Sequence, residues 1–323
     1  MKDYLIILYY CYTPIEDPEA TREDQLRFCI EKGLRGRVIV ASEGINGTLS
    51  GLKQDCLEYM EYMRRDARFA SIDFKSELHD RHAFEKINVR VKPEIVHSGL
   101  PHINPIQKTG VYLEPKDLIR LKERKDVVLL DVRSRYEHSI GRFRDALTLD
   151  IDHFREFPEK VDSLQHLKDK VIVTYCTGGV KCEKASAYLL EKGFSNVYQL
   201  HGGIIKYSHE TGGEDFEGKC YVFDNRVAVD VNRINPGTAG NCYVCGCNCN
   251  RMVNCANPEC NRHIPLCEDC AESLLGACSE TCLNHPRLRP YDGTGYYAKK
   301  RKGYDPRKML GVRKNAKKNR SEV

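Results

Sequence analysis

The sequence predicts a multidomain protein of mixed α/β and α+β class. It reads as a ferredoxin-like (acylphosphatase-like) sheet with helices, then an α/β domain on a parallel sheet, then a small cysteine-rich zinc-binding domain. Three observations predict this. Strands and helices alternate as βαββαβ over the first 97 residues, apolar strands alternate with helices over 111–213, and ten of the sixteen cysteines crowd between Cys242 and Cys282. A chain of 323 residues has room for two or three domains at roughly 100–200 residues each.

In the first domain, residues 1–97, Tyr4–Tyr12 reads as a strand and Arg22–Lys32 as a helix capped by Thr21. Arg37–Ala41 and Gly44–Ser50 read as strands, Lys53–Arg65 as a helix, and Ile72–Glu77 and Ile87–Val91 as extended segments. That order is the split βαβ arrangement, a small sheet with two helices on one face. Asn46-Gly47 reads as a hairpin turn. Residues 98–110 carry two prolines and no periodicity, which marks a linker.

Across 111–213, Pro115–Lys122 reads as helical, Val127–Leu130 as a strand, and Asp152–Phe157 and Val161–His166 as helical pieces. Val171–Tyr175 is a continuous apolar strand, Glu183–Lys192 a helix and Val197–Leu200 a further strand. Strands apolar on both faces belong to a parallel sheet covered by helices, and such sheets place their sites in loops at the strands' carboxyl ends. Residues 214–286 have too little apolar content to fold by burial alone, so a metal should supply the missing stability. The remainder, 287–323, is basic, without an apolar stripe, and is expected to be poorly ordered when free.

Composition narrows the classes. Hydrophobic residues make up 41% and charged ones 30%, with a mean hydropathy of −0.53, which excludes membrane-spanning and fibrous proteins. The short tyrosine-laden start fits neither a signal peptide nor a spanning helix, so the expected location is the cytoplasm. There, sixteen thiols serve metal binding or catalysis rather than disulfides. The net charge of +5 conceals a tail of +10, thirteen Lys and Arg against Asp292, Asp305 and Glu322, on an acidic body. Such a tail attracts a polyanion.

The loop Tyr175-Cys-Thr-Gly-Gly-Val-Lys-Cys-Glu183 sets a thiol at the end of a buried strand and at the mouth of a helix. Backbone N–H groups across Thr177, Gly178, Gly179 and Val180 would cradle an anion, helped by the helix dipole and Lys181. A thiol there ionises readily, which makes Cys176 the candidate nucleophile or persulfide carrier and Cys182 the candidate resolving thiol. Asp131, Arg133 and Glu137 suit a buried ion-pair network that holds the loop, or a direct substrate contact.

Asp131-Val-Arg-Ser-Arg-Tyr-Glu137, Gly141, the Cys176 loop and Leu200-His-Gly-Gly-Ile204 resemble the successive motifs of a rhodanese domain. With Glu43-Gly-Ile-Asn-Gly-Thr-Leu-Ser-Gly51, Cys220-Tyr-Val-Phe-Asp-Asn-Arg226 and the later cysteine pairs, residues 1–290 resemble the oxygen-dependent tRNA uridine hydroxylase family. The resemblance implies conversion of a tRNA wobble uridine to 5-hydroxyuridine with molecular oxygen as co-substrate, and a reactive cysteine matching Cys176. Two positions depart from it: Lys181 stands where the family usually has arginine, and Arg142 where rhodanese domains commonly show histidine. Lysine keeps the charge without the planar fork of donors.

Cys242-x2-Cys245, Cys255-x4-Cys260, Cys267-x2-Cys270 and Cys278-x3-Cys282 are four close pairs, enough for two structural zinc ions. The spacing leaves open whether pairs one and three share an ion or neighbours pair in series; Cys247 and Cys249 are left over, and His263 and His285 are available as substitute ligands. An iron–sulfur cluster or redox thiol array is the alternative. No His-x-Asp or His-x-Glu step suggests an iron site, and Gly293-Thr-Gly-Tyr-Tyr-Ala298 follows no strand, so no nucleotide cofactor is evident.

Lys299, Lys300, Arg301, Lys302, Arg307 and Lys308, with tyrosines between them, suit phosphate neutralisation and base stacking on tRNA. The plain alternative is a solvated tail. Two other readings stay open beside the hydroxylase: a sulfurtransferase carrying a persulfide on Cys176, and a zinc-containing RNA-binding scaffold. A sulfur or electron donor protein is left unspecified.

Overall fold

The computed structural model describes residues 3–295, 297 and 305–311. These fall into two compact units, one running to Ile95 and including 305–311, the other beginning at Val96.

The first unit is built from β1 (Tyr4–Tyr12), α1 (Pro18–Glu31), β2 (Arg35–Ala41), β3 (Gly44–Leu52), α2 (Lys53–Arg65), β4 (Phe74–His79) and β5 (Ile87–Val91). The sheet order is β4-β1-β3-β2-β5, with β5 parallel to β2 and the other pairs antiparallel. Four of these strands have the split βαβ order, and β5 extends the edge. Ile7, Tyr9, Val40, Ile45 and Leu49 meet Leu26, Cys29 and Tyr59 of the two helices in the core.

Three expectations for this unit are corrected. Helix α1 starts at Pro18 rather than Arg22, because the Asp17 carboxylate accepts from the Ala20 amide (2.9 Å) and Pro18 suits the first turn. Asn46-Gly47 lies inside β3, and the β2–β3 turn is Ser42-Glu43. Gly47 is needed there since a Cβ would fall 2.4 Å from the Tyr9 hydroxyl, while Asn46 Nδ2 donates to the Ile95 carbonyl (3.0 Å). In the basic tail, residues 305–311 are ordered against α1. The Asp305-capped turn Pro306–Met309 receives a hydrogen bond from Arg22 (3.1 Å), and Leu310 packs on the core.

The second unit continues with β6 (Val111–Leu113), α3 (Pro115–Leu121), β7 (Val127–Asp131), α4 (Arg135–His138), β8 (Gly141–Phe143) and β9 (Leu147–Thr148). Next come α5 (Phe157–Val161), β10 (Val171–Tyr175), α6 (Val180–Glu191), β11 (Val197–Leu200) and α7 (Gly203–Thr211). A parallel sheet runs β6-β11-β10-β7-β9, with cores on both faces. Its central strand β10 is buried, and the Cys176 loop leaves its carboxyl end.

Residues 98–110 contain no helix or strand, yet Leu100 and Ile103 are buried and their carbonyls accept from the buried ammonium of Lys184 (3.1 and 2.9 Å). Beyond residue 213 come β12 (Phe216–Tyr221), β13 (Ala228–Asp230), β14 (Met252–Asn254), β15 (His263–Pro265), α8 (Glu268–Ser273) and α9 (Glu280–Leu283). Strand β12 pairs with both β8 and β13, so backbone hydrogen bonds bridge the expected boundary between 213 and 214. Among the described residues no helix is long and apolar enough to cross a membrane.

Candidate active site

Strand β10 ends at Tyr175, and the chain turns through Cys176–Gly179 into α6. Gly179 makes the turn at φ +102°, a conformation costly for any residue with a Cβ. Its amide donates to Cys176 Sγ at 3.2 Å. The turn is backed from behind by α7: Ile204 and Ile205 amides donate to the Cys176 and Thr177 carbonyls (3.0 and 3.1 Å). A Cβ on Gly203 would lie 2.5 Å from the Cys176 carbonyl oxygen, which explains the glycine at that position.

Cys176 is 2% exposed. Burial alone raises its pKa, but a hydrogen bond from the Cys182 thiol, the Lys181 charge and the Lys181 and Gly179 amides outweigh it, lowering the thiol from 9.0 to about 6. Cys182, fully buried, is shifted the opposite way by burial and by the Cys176 sulfur beside it. At neutral pH the pair is therefore one thiolate accepting from one thiol.

Behind the loop lies an ion-pair scaffold. Arg133 and Asp131 are fully buried and joined by two hydrogen bonds (2.9 and 2.6 Å), and Arg133 also donates to the Gly141 carbonyl (2.7 Å). Burial disfavours the Asp131 carboxylate, yet the Arg133 charge and hydrogen bonds keep its pKa below the ordinary value. The position of the pair is that of a brace between β7 and β8. Lys181 Nζ donates to the buried Glu137 carboxylate (2.5 Å), whose same oxygen accepts from the Ser134 amide (3.0 Å). Arg142 reaches the His138 carbonyl (3.4 Å).

A second segment flanks the loop. Thr177 Oγ1 donates to the Tyr221 carbonyl (3.2 Å), and the buried Cys220 thiol, raised to about 12 chiefly by burial, faces Thr177 Oγ1 at 3.9 Å. Two residues on, Phe223 is 44% exposed, with the Lys181 ammonium 5.5 Å from its ring centre. Tyr136, Tyr221 and His263 pack edge-to-face with one another at 5.1–5.6 Å, and Tyr221 packs against Phe223 at 5.1 Å. Sequence reasoning assigned no role to Tyr136, Tyr221 or Phe223. The alternation of Cys220-Tyr-Val-Phe before a turn at Asp224-Asn225 was the available signal.

The cysteine pairs interleave. The sulfurs of Cys242, Cys245, Cys247 and Cys267 lie within 4.8 Å of one another, as do those of Cys255, Cys260, Cys278 and Cys282. Cys270 also reaches the first group, through thiol contacts with Cys267, Cys245 and Cys242. Pair one therefore meets pair three, and pair two meets pair four. Cys249 is buried outside both groups, accepting from the Arg251 amide (3.4 Å). His263 bonds Asn254 (2.8 Å) and His285 pairs with Glu259 (3.3 Å), so neither joins a cluster. The Cys267 amide points at Cys242 Sγ and the Cys270 amide at Cys267 Sγ, the N–H···S pattern that stabilises metal thiolates. Both clusters could hold metal ions.

Of the basic residues singled out in the tail, Arg307 and Lys308 lie on the turn against α1, while Lys299, Lys300, Arg301 and Lys302 lie outside the described residues.

Residues 4–95 match a UPF0176 acylphosphatase-like domain, 114–210 a rhodanese-like domain and 217–283 a rhodanese C-terminal domain. Fold and loop thus define a rhodanese-type protein with an acylphosphatase-like domain before it and a cysteine-rich module after it. The chain is 62% identical over 306 residues to the tRNA uridine(34) hydroxylase of Cytophaga hutchinsonii, covering 95% of this chain and 98% of that protein. Identity to the protein of that name from Staphylococcus epidermidis is 48% over 291 residues, covering 89% and 91%. For the Onion yellows phytoplasma protein it is 46% over 293 residues, covering 89% and 95%. The chain belongs to the tRNA uridine(34) hydroxylase family.

Proposed function

We propose that this protein hydroxylates uridine 34 of tRNA to 5-hydroxyuridine, with molecular oxygen as co-substrate and Cys176 as the reactive group. The observation that carries the reading is the Cys176 thiol, lowered to about 6 in a backbone cradle, in a chain 62% identical to a protein of that name.

The chemistry follows from the thiol pair. Cys176 thiolate adds to C6 of the uracil ring, and the electron pair displaced to C5 forms a C5–O bond with oxygen, giving a hydroperoxide after protonation. The Cys182 thiol takes the distal oxygen as a sulfenic acid, leaving C5–OH. Loss of the C5 proton expels Cys176, whose thiolate condenses with the sulfenic acid, releasing water and leaving a Cys176–Cys182 disulfide. Uridine, oxygen and two thiols become 5-hydroxyuridine, water and a disulfide, and a thiol reductant resets the pair. The base must leave its stack to reach a sulfur that is 2% exposed.

Two zinc ions at the interleaved clusters would fix the module that carries His263; tetrahedral thiolate sets suit zinc, which contributes on the order of 10–16 kcal/mol to such folds. Lys299, Lys300, Arg301, Lys302, Arg307 and Lys308 neutralise tRNA phosphates. A reducing cytoplasm suits a chain with sixteen cysteines.

The test is trapping. A tRNA carrying 5-fluorouridine at position 34 has no C5 proton to lose, so it should accumulate as an adduct on Cys176 under turnover conditions. Absence of an adduct while native tRNA is hydroxylated would contradict addition at C6.

A further inference from the structure

The cradle accounts for the reactivity of Cys176 but offers nothing to hold a flipped base. Beside the buried sulfur, Thr177, Val180 and Lys181 are half-buried, and Phe223 is exposed. Isolated exposed aromatics are common on protein surfaces and need no explanation. Phe223 differs in three respects. The segment carrying it is bonded to the reactive loop through Thr177 and Tyr221 (3.2 Å). Its ring stands 5.5 Å from the ammonium of Lys181, which also acts on Cys176. Its neighbour Tyr221 is held by Tyr136 and His263, one from α4 and the other from the strand between the metal-cluster cysteines, so Phe223 is presented on a braced support rather than a loose loop.

An exposed aromatic ring beside the Lys181 ammonium, on a segment bonded to the loop that carries Cys176, suits an unpaired base. Aromatic rings bind such bases by stacking, with little dependence on base identity. We infer that Phe223 is the platform on which the unpaired pyrimidine at the reactive cysteine stacks, with the Lys181 ammonium over the ring's other face and the Tyr136–Tyr221–His263 cluster fixing its position. This rests on the reading of Cys176 as the reactive group toward tRNA uridine, and adds the site that receives the base. It also gives the cysteine-rich module a part in the site, since His263 belongs to it.

Phe223→Leu keeps apolar bulk and removes the π face, while Phe223→Tyr keeps the face. On an anticodon stem-loop, Phe223→Leu is expected to lose roughly 10- to 100-fold in kcat/KM and Phe223→Tyr less than about threefold. The pH profile of Cys176 alkylation by iodoacetamide should be unchanged in both. Equal kcat/KM for Phe223→Leu and wild type would overturn the inference, as would a loss accompanied by a shifted alkylation profile, which would mean that Phe223 acts through Lys181. A stem-loop with 4-thiouridine at position 34 should photo-crosslink to the 220–226 peptide of the wild-type protein. Crosslinking needs no turnover. Hydroxylation without that crosslink would sink the platform alone, whereas the crosslink without hydroxylation would leave the platform and sink the assigned reaction.

Discussion

Lys181 Nζ stands 2.5 Å from the buried carboxylate of Glu137, and the same ammonium is among the groups that pull the Cys176 thiol down to about 6. One cation thus serves two sulfur- and oxygen-borne negative charges, neither of them exposed to water.

Replacing that cation should show on both sides. In Lys181→Met the midpoint of Cys176 alkylation should rise from about 6 toward its ordinary value of 9.0, and stability should fall by about 3–5 kcal/mol because Glu137 keeps a buried charge without its partner. Lys181→Arg should restore most of both. Iodoacetamide kinetics and denaturant melts measure the two effects separately.

In the wild-type protein, the depressed thiol sets the acid limb of activity. The thiolate predominates above about pH 6 and is lost as the pH falls through that value, so kcat/KM should be level from about pH 7 upward and drop about tenfold per unit well below 6. A limb near 9.0, the ordinary thiol value, would show that the cradle does not act on Cys176.

The Asp131–Arg133 brace makes a prediction about stability rather than reactivity. With its pKa held below 3.8, Asp131 contributes stability that is present above that value and is lost as the pH falls below it. Asp131→Ala leaves Arg133 buried without its counter-ion and should cost about 3–5 kcal/mol at neutral pH. Thermal unfolding followed at pH 7 and pH 3 should show the difference between wild type and variant shrinking in acid.

Five sulfurs converge on the first cysteine cluster, where a tetrahedral ion would take four. Cys247→Ser and Cys270→Ser should therefore each retain two metal equivalents, and the double variant only one. Cys260→Ser, in a cluster without a spare thiol among the described residues, should lose one equivalent by itself. Metal analysis of purified variants reads this directly.

Much of this architecture is written in local pattern. Val171–Tyr175, Val197–Leu200, Ile87–Val91 and Lys53–Arg65 occupy the spans that their apolar runs and helical periodicity suggest. What escaped depends on contacts between distant residues. Asn46-Gly47 is a good turn sequence, yet Tyr9 across the sheet requires a residue without a Cβ at Gly47 and holds the pair inside a strand. The interleaving of cysteine pairs cannot be read from their spacing, because either pairing uses the same turns. Phe223 was hidden for the same reason: its meaning comes from Lys181, 42 residues earlier, and from His263, 40 residues later.

The most direct measurement is the mass of nucleoside 34 from tRNA incubated with wild type or Cys176→Ser under oxygen-18 gas. One heavy oxygen atom is expected in the wild-type product, and no product with the serine variant. Full yield from Cys176→Ser, or an added oxygen that comes from water, would contradict the proposed reaction.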